Sequence, residues 1–273
     1  MTMKWIVLGI KKFSMQQATN NNDHLNDLGD LLLEVGTLLM SAGANTNRIR
    51  VTMKRIAQSY HNQAEFLITH RAIMLTIYDE KGKTFFNQVK QTYAQVPDFT
   101  MVSGISRLSW HIVEEQLPMA EVRKEIERLK SKPKYPRWVV LTAVAFACSS
   151  FCRLAGGDPL EMGAVFFAAI TGLFLRQELT KKSFNPYFSV FLAAFLSTII
   201  SGSLGYFGLY EHDNITLVTS ILYLIPGIPL INSISDFLDG YSLNGLVRAV
   251  NGFVISFAIA SGLLIALLIY NFV

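Results

Sequence analysis

The segment Leu224-Ile-Pro-Gly-Ile-Pro-Leu-Ile-Asn-Ser-Ile-Ser-Asp236 joins residues that break a helix to residues that bind ions. Pro226 and Pro229 each remove a backbone donor, and Gly227 loosens the chain between them, so an intact helix is not expected through this point. A broken helix survives at membrane depth only where it is buried in protein or lines a cavity. Transporters use the half-helix ends at such breaks to hold anions or ions. Asn232 and Asp236 set an amide and a carboxylate just beyond the break. Pro226, Gly227, Pro229 and Asn232 therefore read as a candidate substrate site; the competing reading is a kink or helix end near the cytoplasmic face.

Other charged groups lie at the margins of apolar stretches, where an ionised side chain costs roughly 2.5–3.5 kcal/mol if carried to mid-membrane. Arg153 could attract a carboxylate or snorkel to an interface. Glu161 could take up a proton, as could Asp236, so both are candidates for ion coupling; Glu161 would equally favour the N-terminus of its helix. Asp239 and Arg248 read as determinants of topology and solubility. Enzyme and ATPase signatures are missing: there is no phosphate loop, no zinc-binding His-Glu-x-x-His and no Gly-x-Ser-x-Gly elbow. His24, His61, His70, His111 and His212 have no metal-ligand spacing. The expectation is a non-enzyme without metal or cofactor, driven by an ion gradient or a partner.

These groups need a membrane scaffold, and the composition supplies one. Hydrophobic residues make up 51% of the 273 residues, and mean hydropathy is +0.34, above the usual soluble range. The charge is uneven: residues 1–137 hold 19 Lys/Arg and 13 Asp/Glu, and residues 138–273 hold 5 and 7. Beyond the basic Lys132–Arg137 run come the apolar stretches Trp138–Ala155, Leu160–Leu175, Phe184–Phe207, Ile215–Ile231 and Gly252–Val273. Against the ~20 residues a spanning helix needs, the second and fourth are short. Trp5–Ile10, followed by Lys11-Lys12, is too short for a signal segment.

Lys and Arg concentrate in the N-terminal half, in the loop bearing Arg176, Lys181 and Lys182, and at Arg248, whereas the loop with Glu211 and Asp213 carries none. The positive-inside rule then puts the N-terminus in the cytoplasm and the C-terminus outside. Only Arg153 runs against it. Small residues recur every four positions at Ala164/Ala168/Gly172, Ser197/Ser201/Gly205 and Gly252/Ser256/Ala260, a spacing that lets helices approach closely. That much small-residue surface suggests partner helices beyond those of this chain. Cys148 and Cys152, four apart in an apolar run, read as packing residues.

The polar half reads as a small α+β domain. Leu28, Leu31, Leu32, Val35, Leu38 and Leu39 form one helical stripe, Ser41-Ala-Gly-Ala44 interrupts it, and Ile49, Met53, Ile56 and Tyr60 form another. Strands are expected over Phe66–His70, Ile73–Tyr78 and Thr84–Val89, with Asp79–Gly82 as a turn, and helices over about 100–117 and 119–131. Its basic balance lacks an interleaved aromatic reader, so no nucleic-acid partner is expected. The expected plan is a poorly ordered segment 1–24, a cytoplasmic α+β domain 25–134 and a polytopic α-helical membrane domain 135–273 with about five transmembrane helices.

The run from Leu31 to Arg48 resembles the opening helix pair of the threonine/serine exporter family. The likeness continues through Tyr135–Trp138, Phe151–Arg153, Pro226–Asn232, Asp236 and Gly245–Arg248. Within that family, the length and the halt after five spans resemble the split form, in which two subunits share the work. The resemblance implies a bacterial inner-membrane protein that exports a small carboxylate, succinate foremost, together with a smaller multi-span membrane subunit. It leaves two alternatives: a threonine/serine exporter subunit, or a sensor or scaffold whose partner forms the pathway.

Overall fold

A computed structural model describes residues 23–78, 84–92, 96–206 and 213–272. Residues 1–22 of the expected poorly ordered segment 1–24, the turn at Asp79–Gly82 and the acidic loop residue Glu211 lie outside the described residues, while residues 23 and 24 are helical. The chain forms two compact units. One holds the N-terminal part up to Lys132 together with Ile231–Arg248, and the other holds Pro133–Leu230 with the chain from Ala249 onward. A single cut near residue 134 misses this return, because Ile231–Arg248 is bound to the N-terminal part by side-chain contacts more than 170 residues apart in sequence.

The first unit begins with helix α1 (residues 23–41) and α2 (Thr46–Ser59). Between them, Gly43 adopts φ 81°, a left-handed conformation that a side chain disfavours. Ala44 N–H donates to Leu39 O at 3.0 Å and Gly43 N–H to Met40 O at 3.1 Å. This is a Schellman ending, and the Ser41–Ala44 interruption is its sequence trace. Strands β1 (Gln63–Ile68), β2 (Ala72–Tyr78) and β3 (Thr84–Gln91) form an antiparallel meander. The first strand ends two residues before the expected His70, because Thr69 closes a turn onto Ala72 from both its N–H and its hydroxyl.

Helices α3 (Phe99–Glu115) and α4 (Met119–Lys130) complete this unit. Its core joins Leu28, Leu32 and Val35 of α1 to Ile49 and Met53 of α2, Ile73, Leu75 and Ile77 of β2, and Ile105 and Ile112 of α3, all buried. Alternate β2 residues carry that contact, as period-two patterning requires. Tyr60, at the end of α2, donates its hydroxyl to Leu117 O at 2.8 Å, and burial pushes its pKa up to about 12.

The second unit contains α5 (Arg137–Leu154), α6 (Pro159–Lys181), α7 (Pro186–Tyr206), α8 (Asp213–Ser220) and a 3-10 turn at Leu222–Leu224. Helices α9 (Gly227–Leu238) and α10 (Ser242–Phe272) each continue from one unit into the other. Among the described residues four helices, α5, α6, α7 and α10, are long and apolar enough to cross a membrane. The second apolar stretch is not short: it belongs to a 23-residue helix whose polar end, Gln177–Lys181, carries on the same hydrogen-bonding. The fourth is broken, with α8 and the 3-10 turn bent by 64° from α9. Helix α10 has 31 residues, roughly 46 Å at the usual rise, and its part from Ala249 onward still exceeds ~30 Å of hydrocarbon.

Small residues set the helix approaches. A Cβ on Gly172 would lie 2.1 Å from Ser197 Oγ and 2.2 Å from the Tyr223 hydroxyl. Ala164 and Ala168 are buried on the same face of α6. On α10 the inward series is Gly252, Ile259, Gly262 and Ala266, while Ala260 of the expected stripe is exposed. A helical face drifts away from strict four-residue spacing because the period is 3.6. Cys148 and Cys152 are free and buried, against Val165 and Ala169 of α6.

Candidate functional site

In the first unit, a polar cluster forms where the Schellman turn delivers the chain to α2. Asn45 caps α2, its side chain accepting from Arg48 N at 2.9 Å. The next residue, Thr46, presents its N–H and hydroxyl to Asp236, donating to Oδ1 at 2.9 Å and to Oδ2 at 3.0 Å. Arg248 Nε lies 3.1 Å from Asp236 Oδ2, and its other end donates to Ala44 O at 2.9 Å. Asn244, one turn before Arg248 on α10, donates to Thr46 Oγ1 at 3.1 Å and to Ile68 O at 2.9 Å. Asn232, one turn before Asp236 on α9, donates to Gly43 O at 2.8 Å.

The carboxylate of Asp236 is fully buried and Arg248 nearly so. Each is held by a counter-charge and by further hydrogen bonds, the condition under which a buried ion pair is tolerated. The negative carboxylate also faces the positive end of the α2 dipole. His70, in the turn between β1 and β2, lies within the field of the same pair. Its pKa is held below the ordinary histidine value, first by burial, then by the Arg248 and Arg71 charges, with Asp236 opposing.

The helix break puts Pro226 in a buried position and Gly227 at the first turn of α9 with open space around it. Gly227 N–H donates to Ile225 O at 2.9 Å, and Pro229 has no N–H, so this helix start offers few free donors. Arg153, exposed at the end of α5, donates to Gly157 O at 3.1 Å. Glu161 is fully buried and forms a capping box with Asp158: its carboxylate accepts from Asp158 N at 2.7 Å, and its N–H donates to Asp158 Oδ1 at 2.8 Å. Of the sequence candidates, Asn232 and Asp236 share one cluster, whereas Arg153 and Glu161 flank the α5–α6 turn. Among the described residues no group of metal-ligating side chains occurs.

Sequence reasoning missed Thr46, Asn244 and Arg248. Arg248 is no surface charge: it is 5% exposed and paired. The one available signal was spacing, since Asn232/Asp236 and Asn244/Arg248 are both four-residue polar pairs on otherwise apolar helices.

The family profile described as "Putative threonine/serine exporter" matches residues 30–270. This chain belongs to the threonine/serine exporter family. It is 28% identical over 244 residues to the "Probable succinate transporter subunit YjjP" of Escherichia coli, covering 88% of this chain and 94% of that one. The protein of the same description from Klebsiella aerogenes is 27% identical over the same share of this chain and 93% of its own. The "Probable threonine/serine exporter" of Mycobacterium tuberculosis is 22% identical over 89% of this chain but 46% of its own length. No solved structure matches. The family is one of membrane transporters, and the apolar helices of this member agree with that assignment.

Proposed function

We propose that this protein is one subunit of a bacterial inner-membrane exporter for small carboxylates, with succinate as the principal solute, working with a second, smaller multi-span membrane subunit. The observation that carries the reading is coverage. The likeness runs nearly end to end with two proteins named as succinate transporter subunits, yet spans about half of the exporter from Mycobacterium tuberculosis. A chain equivalent to half of a single-chain exporter calls for a separate second half.

The path of the chain supports a five-span arrangement. Three helices, α5 to α7, follow the N-terminal unit in sequence, and an odd number of crossings leaves the chain on the opposite side of a bilayer. Residues 231–248 nevertheless pack in that same N-terminal unit, through Asp236, Asn244 and Arg248. The bent pair α8–α9 must then return the chain across the bilayer as one broken span, and α10 carries the C-terminus back out. The basic loops favour a cytoplasmic N-terminal unit. In this arrangement Arg153 stands at the outer α5–α6 turn and draws the carboxylate, and the break at Pro226, Gly227 and Pro229, with Asn232 beyond it, lies on the solute path. Asp236 is the better-built coupling acid, since a proton there cancels the charge that pairs with Arg248; Glu161 is the second.

The test is efflux of labelled succinate, threonine and serine from cells without endogenous exporters, with this chain expressed alone and beside a candidate small membrane subunit. Succinate efflux that needs both chains is the expected result. Efflux of threonine or serine instead would keep the family and replace the solute, a reading favoured by the Mycobacterium tuberculosis and Corynebacterium glutamicum relatives, both named as threonine/serine exporters. No efflux with both chains verified in the membrane would overturn the proposal.

A further inference from the structure

Arg176 is the one cation of the membrane unit that is not exposed and whose side chain makes neither a hydrogen bond nor an ion pair among the described residues; Lys134 and Lys182, also without such partners, are exposed. Arg137 is held by Gln177 and Glu178, Arg153 by Gly157 O, and Lys181 by Glu178. Arg176 is partly buried, and packing withdraws its guanidinium from water. The acids whose side chains are described in this unit are committed elsewhere: Glu178 to Arg137 and Lys181, Asp158 and Glu161 to their capping box at the other end of α6. A desolvated guanidinium without an anion is a costly arrangement, and a ligand anion relieves it.

The surroundings of Arg176 are built by the small-residue face of α6. Ala164, Ala168, Gly172 and Arg176 follow at four-residue intervals, so the guanidinium extends the stripe against which α7 packs. Ser197 Oγ donates to Ala168 O at 3.0 Å, and Gly172 approaches Ala193 O of α7. Antiparallel continuation sets the Arg176 turn beside Ser189, which is buried and uncharged. The Tyr223 hydroxyl, hydrogen-bonded to Ser197 Oγ at 3.1 Å, sits over Gly172 and within electrostatic reach of Arg176. Tyr223 belongs to the 3-10 turn just before the helix break.

The geometry points to Arg176 and Tyr223 as the carboxylate-binding subsite for the transported solute, at the C-terminal end of α6 and beside the 3-10 turn that precedes the helix break. This deepens the exporter reading and rests on it. The guanidinium offers two parallel N–H donors to a carboxylate, and the Tyr223 hydroxyl, whose proton is given to Ser197 Oγ while Ser197 donates to Ala168 O, becomes a third donor by turning that proton to the carboxylate. A dicarboxylate and an amino acid both present that carboxylate.

The experiment is concentration-dependent efflux of succinate, and separately of threonine, from cells carrying both subunits, with Arg176→Gln, Arg176→Lys, Tyr223→Phe and the control Lys182→Gln in this chain. Arg176→Gln is expected to lower efflux at limiting internal solute by about tenfold or more at unchanged membrane abundance, the scale of a lost charge-assisted contact. Tyr223→Phe should raise the half-saturating concentration with the maximal rate retained, and Lys182→Gln should match the parent. If Arg176→Gln is poorly inserted, Arg176→Lys carries the test: a subsite requires a raised half-saturating concentration, because the fork is lost though the charge stays. The parent value with Arg176→Lys, or full efflux with Arg176→Gln, would overturn the subsite. Failure of the unaltered pair to move either solute would instead bring down the exporter reading beneath it. Whichever labelled solute shows the Arg176 effect identifies the source of the carboxylate.

Discussion

Arg248 and Arg176 are both arginines on apolar helices of one chain, and their surroundings are opposite. Arg248 is paired: Asp236 supplies the counter-charge, Ala44 a carbonyl, and Thr46 and Asn244 surround the carboxylate. Around Arg176 there are close-packed small residues, two hydroxyl-bearing neighbours and no acid among the described residues. A satisfied charge fixes structure, since moving it forfeits several bonds at once. An unsatisfied charge is maintained at a cost, and that cost is recovered when a ligand arrives.

The largest effect is expected at the satisfied site. Asp236→Ala leaves Arg248 buried without its partner and should cost about 3–5 kcal/mol, read from denaturant or thermal unfolding of the detergent-solubilised chain. The double change Asp236→Leu with Arg248→Met should be less damaging than either single loss, because it removes both charges; a double mutant as unstable as the sum would break the ion-pair account. Next in size is Gly172→Ala, whose Cβ would meet two oxygens at 2.1 and 2.2 Å. It should cost about 1–3 kcal/mol and depress transport through displacement of Tyr223.

A smaller response is expected on acidification. The folded pKa of His70 is depressed, so the unfolded chain binds the proton more readily below the ordinary value near 6.5. Stability should therefore hold above that pH and decline as pH falls from it toward the folded value. His70→Gln should flatten this part of the pH–stability profile, and an unchanged slope would remove His70 from the account. The smallest effect is expected for Gly227→Ala, whose added methyl meets nothing within 4 Å and should shift stability by no more than about 1 kcal/mol. Lost transport with intact stability there would sharpen the assignment of the break to the solute path.

Much of the scaffold was legible from sequence because its signals are local. The α1 stripe, the Gly43 turn, the alternating β2 residues and the apolar α6, α7 and α10 each follow from spacing within one element. The break at Ile225–Pro226 was equally legible, since proline acts on its own helix. The first strand shifted toward Gln63 because the turn that stops it depends on Thr69 bonding to Ala72, a choice alternation does not encode.

Composition, periodicity and the proline pair by themselves determined that this protein has a polar α+β part, a helical apolar part and one interrupted helix. Only the tertiary structure decided which charges are spent and which are free. Asp236 meets Thr46 across 190 residues and Arg248 reaches back to Ala44, while Arg176, which looked like one more basic loop residue, has no counter-charge among the described residues. The reason is physical: helical and strand periods are set by neighbours a few residues apart, whereas the fate of a charge depends on which distant groups packing brings within a few ångströms.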